Sequence, residues 1–331
     1  MKELKNVGII GTGMYVPERI MTNFDLEKIV ETTDEWITTR TGIKERRIVA
    51  DEEACSDLAA KAAERALADA GVTAEEIELV IVATITPDFA FPATAALVQH
   101  KIGAKKAVAF DLEAACTGLV YSIAAGANFI ATGMYKKVLV IGSEALSKIT
   151  DWEDRNTCVL FGDGASAVVL GEVGEGEGLI SYHLAADGSG GEYLDMPGGG
   201  SRNPATVDTV NDRMHFLKMK GQDVFKFAVT ALPETVLKTL EKAGVSADEI
   251  KMIVPHQANY RIIGSAAKRL SIDVEKFYMN MDRYGNTSSA SIGIALDEAV
   301  KAGKIVKGDY IVLVGFGAGL TYGSCLIKWS K

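Results

Sequence analysis

The chain reads as an α/β protein built from two related halves. Short β-branched runs alternate along all 331 residues with alanine-rich stretches of helical length, the pattern of a sheet covered on both faces. The sequence also repeats itself. "LADAGVTAEEIELVIV" (67–82) returns as "LEKAGVSADEIKMIV" (240–254), and "KVLVIGSEAL" (137–146) as "YIVLVGFGAG" (310–319), both 173 positions on. "VAFDLEAACTG" (108–118) lies opposite "FYMNMDRYGNT" (277–287) at an offset of 169. Three matches in one order at nearly one spacing mark a duplication. The glycine- and charge-rich "GEVGEGEGL" puts the junction near residues 171–180, so the predicted halves are 1–175 and 176–331.

Taken in order, "NVGIIGTG" reads as a strand and turn. Its Gly11-x-Gly13-x-x-Val16 spacing lacks the third glycine of a dinucleotide loop, and Pro17 interrupts the helix that such a loop needs. "TTDEWITTRTG" reads as a short helix, with Thr32-x-x-Glu35 at capping-box spacing, Gly42 as the stop, and Trp36 and Arg40 on one face. Longer helices are predicted over Ser56–Ala70, Cys116–Thr132, Val224–Ala243, Ile262–Leu270 and Ser289–Ala302. Strands are predicted at "LVIVATI", "AVAFDL", "KVLVIG", "ASAVVLGEV", "MIVPH", "FYMNM" and "YIVLVGFG". In both halves a glycine (Gly71, Gly244) ends a helix, Thr73 or Ser246 opens a turn with a glutamate three residues on, and a strand follows. "PGGGSRNPAT" (197–206) reads as a surface loop without chemistry.

Composition narrows the class. With 48% hydrophobic residues the chain has ample material for a large core, and its net charge of −9 argues against general binding to nucleic acid or anionic membrane. The N-terminal stretch shows no secretory pattern and no apolar run reaches spanning length, so the cytoplasm is the expected compartment. Cys55, Cys116, Cys158 and Cys325 are far apart, without metal-knuckle or disulfide-framework spacing, and neither a P-loop nor H-E-x-x-H occurs. No metal or redox cofactor is expected.

Open α/β sheets gather ligands beyond the carboxyl ends of their strands. His256 ends one strand, Cys116 follows another, and Asn286 follows a third, so these three polar groups are expected to converge between the halves. A thiol at a helix start is favoured toward thiolate by the backbone N–H groups there. On these grounds alone two readings stand. Cys116 is either a nucleophile or a small buried hydrophobe, and His256 either a catalyst or a satisfied partner of a carbonyl.

The motifs "AACTGLVYS", "VPHQAN", "DRYGNTSSAS" and "GFGAGLTYGS", with "TTDEWITTRTGI" near the start, resemble those of β-ketoacyl-acyl carrier protein synthase III, the initiating condensing enzymes of type II fatty acid synthesis. The resemblance covers essentially the whole chain. It implies a thiolase-like fold, two similar halves stacked as an α-β-α-β-α sandwich, and decarboxylative condensation of an acyl-CoA with malonyl-acyl carrier protein. By the same resemblance Cys116 is the acylated nucleophile, His256 and Asn286 donate to the enolate oxygen, and the backbone N–H groups of Cys116 and Ala318 hold the acyl carbonyl. Ala318 stands where some members carry glycine, which costs little unless its φ is positive. The resemblance also implies that Trp36 and Arg155 clasp the adenine of coenzyme A with Thr32 and Arg40 nearby, and that Gly221 and Asn259 line the pantetheine tunnel with Phe225 near its mouth. Phe91 would close the acyl pocket across a homodimer. Lys226, Arg261, Lys268 and Arg269 would dock the acidic carrier protein; Arg261 and Lys268 share a helix face. A related synthase of alkylquinolone or polyketide type is the nearest alternative. A papain-like peptidase is disfavoured by the duplicated pattern and by "ACTG", and an idle scaffold by the filled Cys, His and Asn positions.

Overall fold

The structure is a computed structural model describing residues 4–331. Nine strands build its two sheets: β1 (Val7–Tyr15), β2 (Leu79–Ala83), β3 (Val108–Leu112), β4 (Val138–Glu144), β5 (Gly164–Glu172), β6 (Gly178–Ala186), β7 (Ile250–Pro255), β8 (Tyr310–Gly317) and β9 (Thr321–Lys328). The first sheet runs β1-β5-β4-β2-β3 and the second β7-β8-β9-β6. Seven helices matter here: α1 (Asp34–Thr41), α2 (Cys55–Ala70), α3 (Thr94–Lys101), α4 (Gly118–Ala131), α5 (Gly221–Ala243), α6 (Tyr260–Leu270) and α7 (Ser291–Lys301).

Side-chain alternation sorts these elements into five layers. In β2, Leu79 and Ile81 face inward against α4 and α7, while Val80 and Val82 face outward against α2 and α3. In β8, Ile311 and Leu313 meet the same central helices from the other side, while Val312 and Val314 pack on α5 and α6. The order is helices, sheet, helices, sheet, helices, the thiolase-like sandwich. Burial of α4 explains its composition, which is apolar nearly all round.

The duplication is present in the strand register. β2 pairs parallel to β4 with Leu79 opposite Val138, and β7 pairs parallel to β8 with Met252 opposite Ile311, each residue 173 positions further along. β4 and β5 are antiparallel, as are β8 and β9, and β1 and β6 close the two sheets in the same way. The paired turns Thr73/Glu76 and Ser246/Glu249 are capping boxes in both halves.

Several expectations change. The run "FYMNM" forms no strand, only a single parallel bridge between Ile253 and Phe277. Pro255 brings no N–H to that edge, and the side-chain amide of Gln257 takes over: its Nε2 donates to the carbonyls of Pro255 (2.7 Å) and Tyr278 (3.0 Å), and its Oε1 accepts from Asn280 N–H (2.9 Å). β6, β9 and α3 were not expected. The cap of α1 is Thr33, whose Oγ1 accepts from Trp36 N–H at 3.1 Å, rather than Thr32, although Gly42 does close the helix in the left-handed region (φ 85°). Among the described residues no helix is long and apolar enough to cross a membrane.

The turn before α7 lies directly on β4. A Cβ on Gly142 would stand 2.4 Å from the Ser289 carbonyl oxygen, so that strand position tolerates only hydrogen. Gly142→Ala should cost about 1–3 kcal/mol of stability, the usual range for overpacking a close-packed site. Chemical denaturation reads this directly, and a variant as stable as the parent would contradict the packing described.

Candidate active site

Cys116, the candidate nucleophile, sits where the first sheet meets the central helices. β3 ends at Leu112, the chain passes through Ala115 with φ of +45°, and a single 3-10 turn (Ala115–Thr117) presents Cys116 before α4 begins. The left-handed residue makes a sharp corner, and Glu113 Oε1 holds it by accepting the Ala115 N–H (3.0 Å). Ser288 repeats the feature with the same φ of +45°, and a matching 3-10 turn (Ser288–Ala290) precedes α7. The symmetry mate of Cys116 is therefore Ser289; Asn286, which the offset of 169 sets almost opposite the cysteine, lies three residues earlier.

Cys116 lies between two cavities. A narrow one of roughly 100 Å³ also has His256, Asn286, Gly221, Phe225 and Asn259 in its wall. A broader one of roughly 590 Å³ opens on the other side, beside Ser288 and Ala318, and has Leu146, Leu194 and Leu217 among its apolar lining. The loop after β8 makes its left-handed turn at Gly319 (φ 124°), so Ala318 keeps its methyl group without strain. Gly317 is more demanding: a Cβ there would meet the Cys116 backbone nitrogen at 2.8 Å.

The two candidate donors are held from behind. His256 is 1% exposed; its backbone N–H donates to Val314 O (2.8 Å), and its Nδ1 lies 2.7 Å from Ser291 Oγ. The ring of Phe316 packs against it in a T-shaped pair, with centroids 5.3 Å apart. Asn286 is bound to the first half through its backbone, N–H to Leu160 O (2.8 Å) and carbonyl from Gly162 N–H (3.0 Å). Its Oδ1 accepts from Ser288 N–H at 2.8 Å, which leaves the amide NH2 as the free end.

Burial sets the charge states. It pushes the Cys116 thiol up to about 12 and pulls His256 down to about 3. Desolvation thus works against the turn N–H groups that favour thiolate, and it keeps both the thiol and the imidazole toward their neutral forms.

Two family models match the chain, "3-Oxoacyl-[acyl-carrier-protein (ACP)] synthase III" over residues 110–188 and the C-terminal model of the same name over residues 240–329. The chain is 58% identical over 326 residues to the β-ketoacyl-[acyl-carrier-protein] synthase III of Desulfitobacterium hafniense, covering 98% of each sequence. The chain belongs to this family. Its structure is similar to the crystal structure of 3-oxoacyl-[acyl-carrier-protein] synthase III from Aquifex aeolicus VF5, with a TM-score of 0.91 at 48% identity over 98% of this chain and 100% of that one. It is also similar to the priming β-ketosynthase of the R1128 polyketide pathway, at 34% identity and a TM-score of 0.90 over 99% of this chain and 97% of that one.

Of the other residues picked out by the synthase resemblance, Gly221, Phe225 and Asn259 line the narrow cavity and the rest lie outside its wall. Trp36, on α1, carries the guanidinium of Arg40 at 4.9 Å and that of Arg155 at 5.0 Å from its ring centroid. Thr32 Oγ1, nearby in sequence, is buried without a hydrogen-bond partner. Asn259 caps α6 by accepting from Arg261 N–H (2.8 Å) and reaches Arg40 O through Nδ2 (3.0 Å), tying α6 to α1. Arg261 lies over Phe225 at 5.5 Å, and Lys226 and Lys268 are exposed. Arg269 is exposed but bonds Val229 O on α5 (2.6 Å), which partly commits it to helix packing. Phe91 is 85% exposed and does not line its own chain's cavities.

Two buried groups escaped sequence reasoning. Arg46, fully buried without a carboxylate, donates to Asn23 Oδ1 (2.9 Å) and Val159 O (2.8 Å), pinning the segment that carries Leu160 and Gly162. Glu144, at the end of β4, accepts from Thr86 Oγ1 (2.8 Å) and Ile85 N–H (3.1 Å). The Ser289 hydroxyl faces two acceptors, Glu144 Oε1 at 2.8 Å and Ala83 O at 2.9 Å, with one proton to give. A protonated Glu144 that donates to Ser289 satisfies both contacts, and burial pushes this carboxyl up to about 7. Because its pKa is raised on folding, the stability it contributes is present below its ordinary 4.5 and is lost as pH rises through about 7. Glu144→Gln keeps a donor and cannot ionise. Between pH 5 and 8 the parent should lose on the order of 3 kcal/mol more unfolding free energy than this variant; parallel denaturation curves at the two pH values would contradict the assignment.

Proposed function

We propose that the chain condenses an acyl-CoA primer with malonyl-acyl carrier protein, giving β-ketoacyl-acyl carrier protein, coenzyme A and CO2. The observation that carries the reading is the place of Cys116 at the junction of a narrow cavity with two oriented N–H donors and a broad apolar cavity. The first suits a pantetheine arm and its thioester, the second an acyl chain.

In the first half-reaction the Cys116 sulfur adds to the primer's thioester carbonyl, whose oxygen is met by the backbone N–H groups of Cys116 and Ala318. Collapse of the adduct breaks the bond to coenzyme A, and the cysteine's proton ends on the departing thiol. In the second, malonyl thioester loses CO2, and the electron pair of the broken C–C bond becomes an enolate. Its oxygen is met by N–H donors on His256 and Asn286, in a dry site where such donors act strongly. The enolate carbon attacks the acyl group, the C–S bond breaks, and the Cys116 thiolate takes a proton from solvent.

Trp36, Arg40, Arg155 and Thr32 form the proposed nucleotide end of the coenzyme A site, and Gly221, Phe225 and Asn259 its pantetheine tunnel. Lys226, Arg261 and Lys268 offer a basic approach to that mouth for an acidic carrier protein, with Arg269 a lesser contributor. A homodimer across β3 is the assembly we infer. This is an edge strand with Val108 half exposed, and in such a dimer the exposed Phe91 would be the residue to close a second chain's acyl cavity. The halves 1–175 and 176–331 then supply the nucleophile and the two donors respectively. Such substrates point to the cytoplasm.

Incubation with a panel of acyl-CoAs, followed by intact-mass measurement, should show one added acyl group that malonyl-acyl carrier protein discharges. Cys116→Ala should take up none; labelling that persists in this variant, or a parent that no acyl-CoA labels, would sink the reading. Replacing His256 or Asn286 by alanine should slow decarboxylation of malonyl thioester by roughly a hundredfold to a thousandfold while Cys116 still acylates. Because His256 stays neutral, decarboxylation should show no histidine ionisation near pH 6.5; a rate that breaks there and loses the break in the His256 variant would contradict the neutral-donor role.

A further inference from the structure

Ser291 is the first residue of α7 and is 2% exposed. Its Oγ lies 2.7 Å from His256 Nδ1 and accepts the Gln257 backbone N–H at 3.4 Å. No other acceptor lies within hydrogen-bond reach of this hydroxyl among the described residues. A hydroxyl has one proton to give, and leaving it unpaired in a dry interior is costly. If Ser291 donates to Nδ1, that nitrogen is bare and the ring proton sits on Nε2. If Nδ1–H donates instead, the oxygen receives two N–H groups while its own proton has nowhere to go.

We infer that Ser291 is a positioning residue that holds His256 in the tautomer protonated on Nε2. Among the described residues Nε2 makes no hydrogen bond, and the ring lines the narrow cavity beside Cys116. A neutral imidazole can donate to an enolate oxygen only from a protonated nitrogen, so this assignment gives His256 its direction. Asn286 is treated in the same way two residues upstream of its own anchor, where Ser288 N–H occupies its oxygen and leaves the amide NH2 to face the ligand. The segment Asn286–Ser291 thus aims both donors. The functional consequence rests on the condensation reading; the hydrogen-bond assignment does not.

The test is long-range ¹H–¹⁵N correlation spectroscopy on protein carrying ¹⁵N-labelled histidine, with His256→Gln to assign the resonances among the four histidines. The parent should show a proton-bearing Nε2 and a bare Nδ1 at His256. Ser291→Ala should mix the tautomers and slow CO2 release from malonyl-acyl carrier protein roughly tenfold to a hundredfold, with acylation of Cys116 changed less than about twofold. Ser291→Thr, which keeps the hydroxyl, should restore the tautomer and most of the rate. A proton on Nδ1 in the parent would overturn the assignment even if the alanine variant fails to fold. So would an alanine variant with the parent's tautomer and rate. A parent with the expected tautomer that decarboxylates no malonyl thioester would support the hydrogen-bond assignment and sink the condensation reading.

Discussion

The site depends on how firmly the segment entering α7 is fastened. Ser289 ties it to β2 and β4 through Ala83 O and Glu144, Asn286 ties it to the Leu160–Gly162 loop, and Ser291 ties it to the end of β7. These anchors come from both halves of the chain. None is strong alone, since a single protein hydrogen bond is worth about 1 kcal/mol net. Together they leave the segment no second position, which is what two donors aimed at one oxygen require.

The same fastening keeps the region dry, and dryness decides its electrostatics. Burial moves the Cys116 thiol and the Glu144 carboxyl up and His256 down, each toward its uncharged form. The resting site is therefore close to neutral, and charge arises only as bonds change. An enolate formed there meets N–H dipoles already in place, with little solvent to reorganise. A thiolate–imidazolium pair would have required the protein to solvate two ions in a space that favours neither.

Much of the fold was legible because it rests on period and punctuation: the two-residue alternation in β2 and β8, the glycine stops at Gly71 and Gly244, and the repeat at 173 positions. The misreadings have local causes. "FYMNM" has the composition of a strand, yet Gln257, more than twenty positions earlier, takes its hydrogen bonds with a side chain. At the start of α1 two adjacent threonines offer the same chemistry, and only backbone geometry chooses Thr33. That Cys116, His256 and Asn286 share one cavity could be expected from motifs and strand ends, but the contacts of Ser291 and Glu144 could not. Those contacts lie 35 and 145 positions away, with partners of ordinary residue type.

The repeat also explains why there is one such site rather than two. Cys116 and Ser289 occupy matching corners, and glycines at matching strand positions, Gly315 and Gly142, let each corner press against the other half's sheet. The difference lies at the last residue of the strand. In β8 it is Gly317, and two cavities open beside Cys116; in β4 it is Glu144, whose carboxyl reaches Ser289 instead. The molecule thus carries two corners of one design, one that opens on cavities and one that serves as a clasp between the halves.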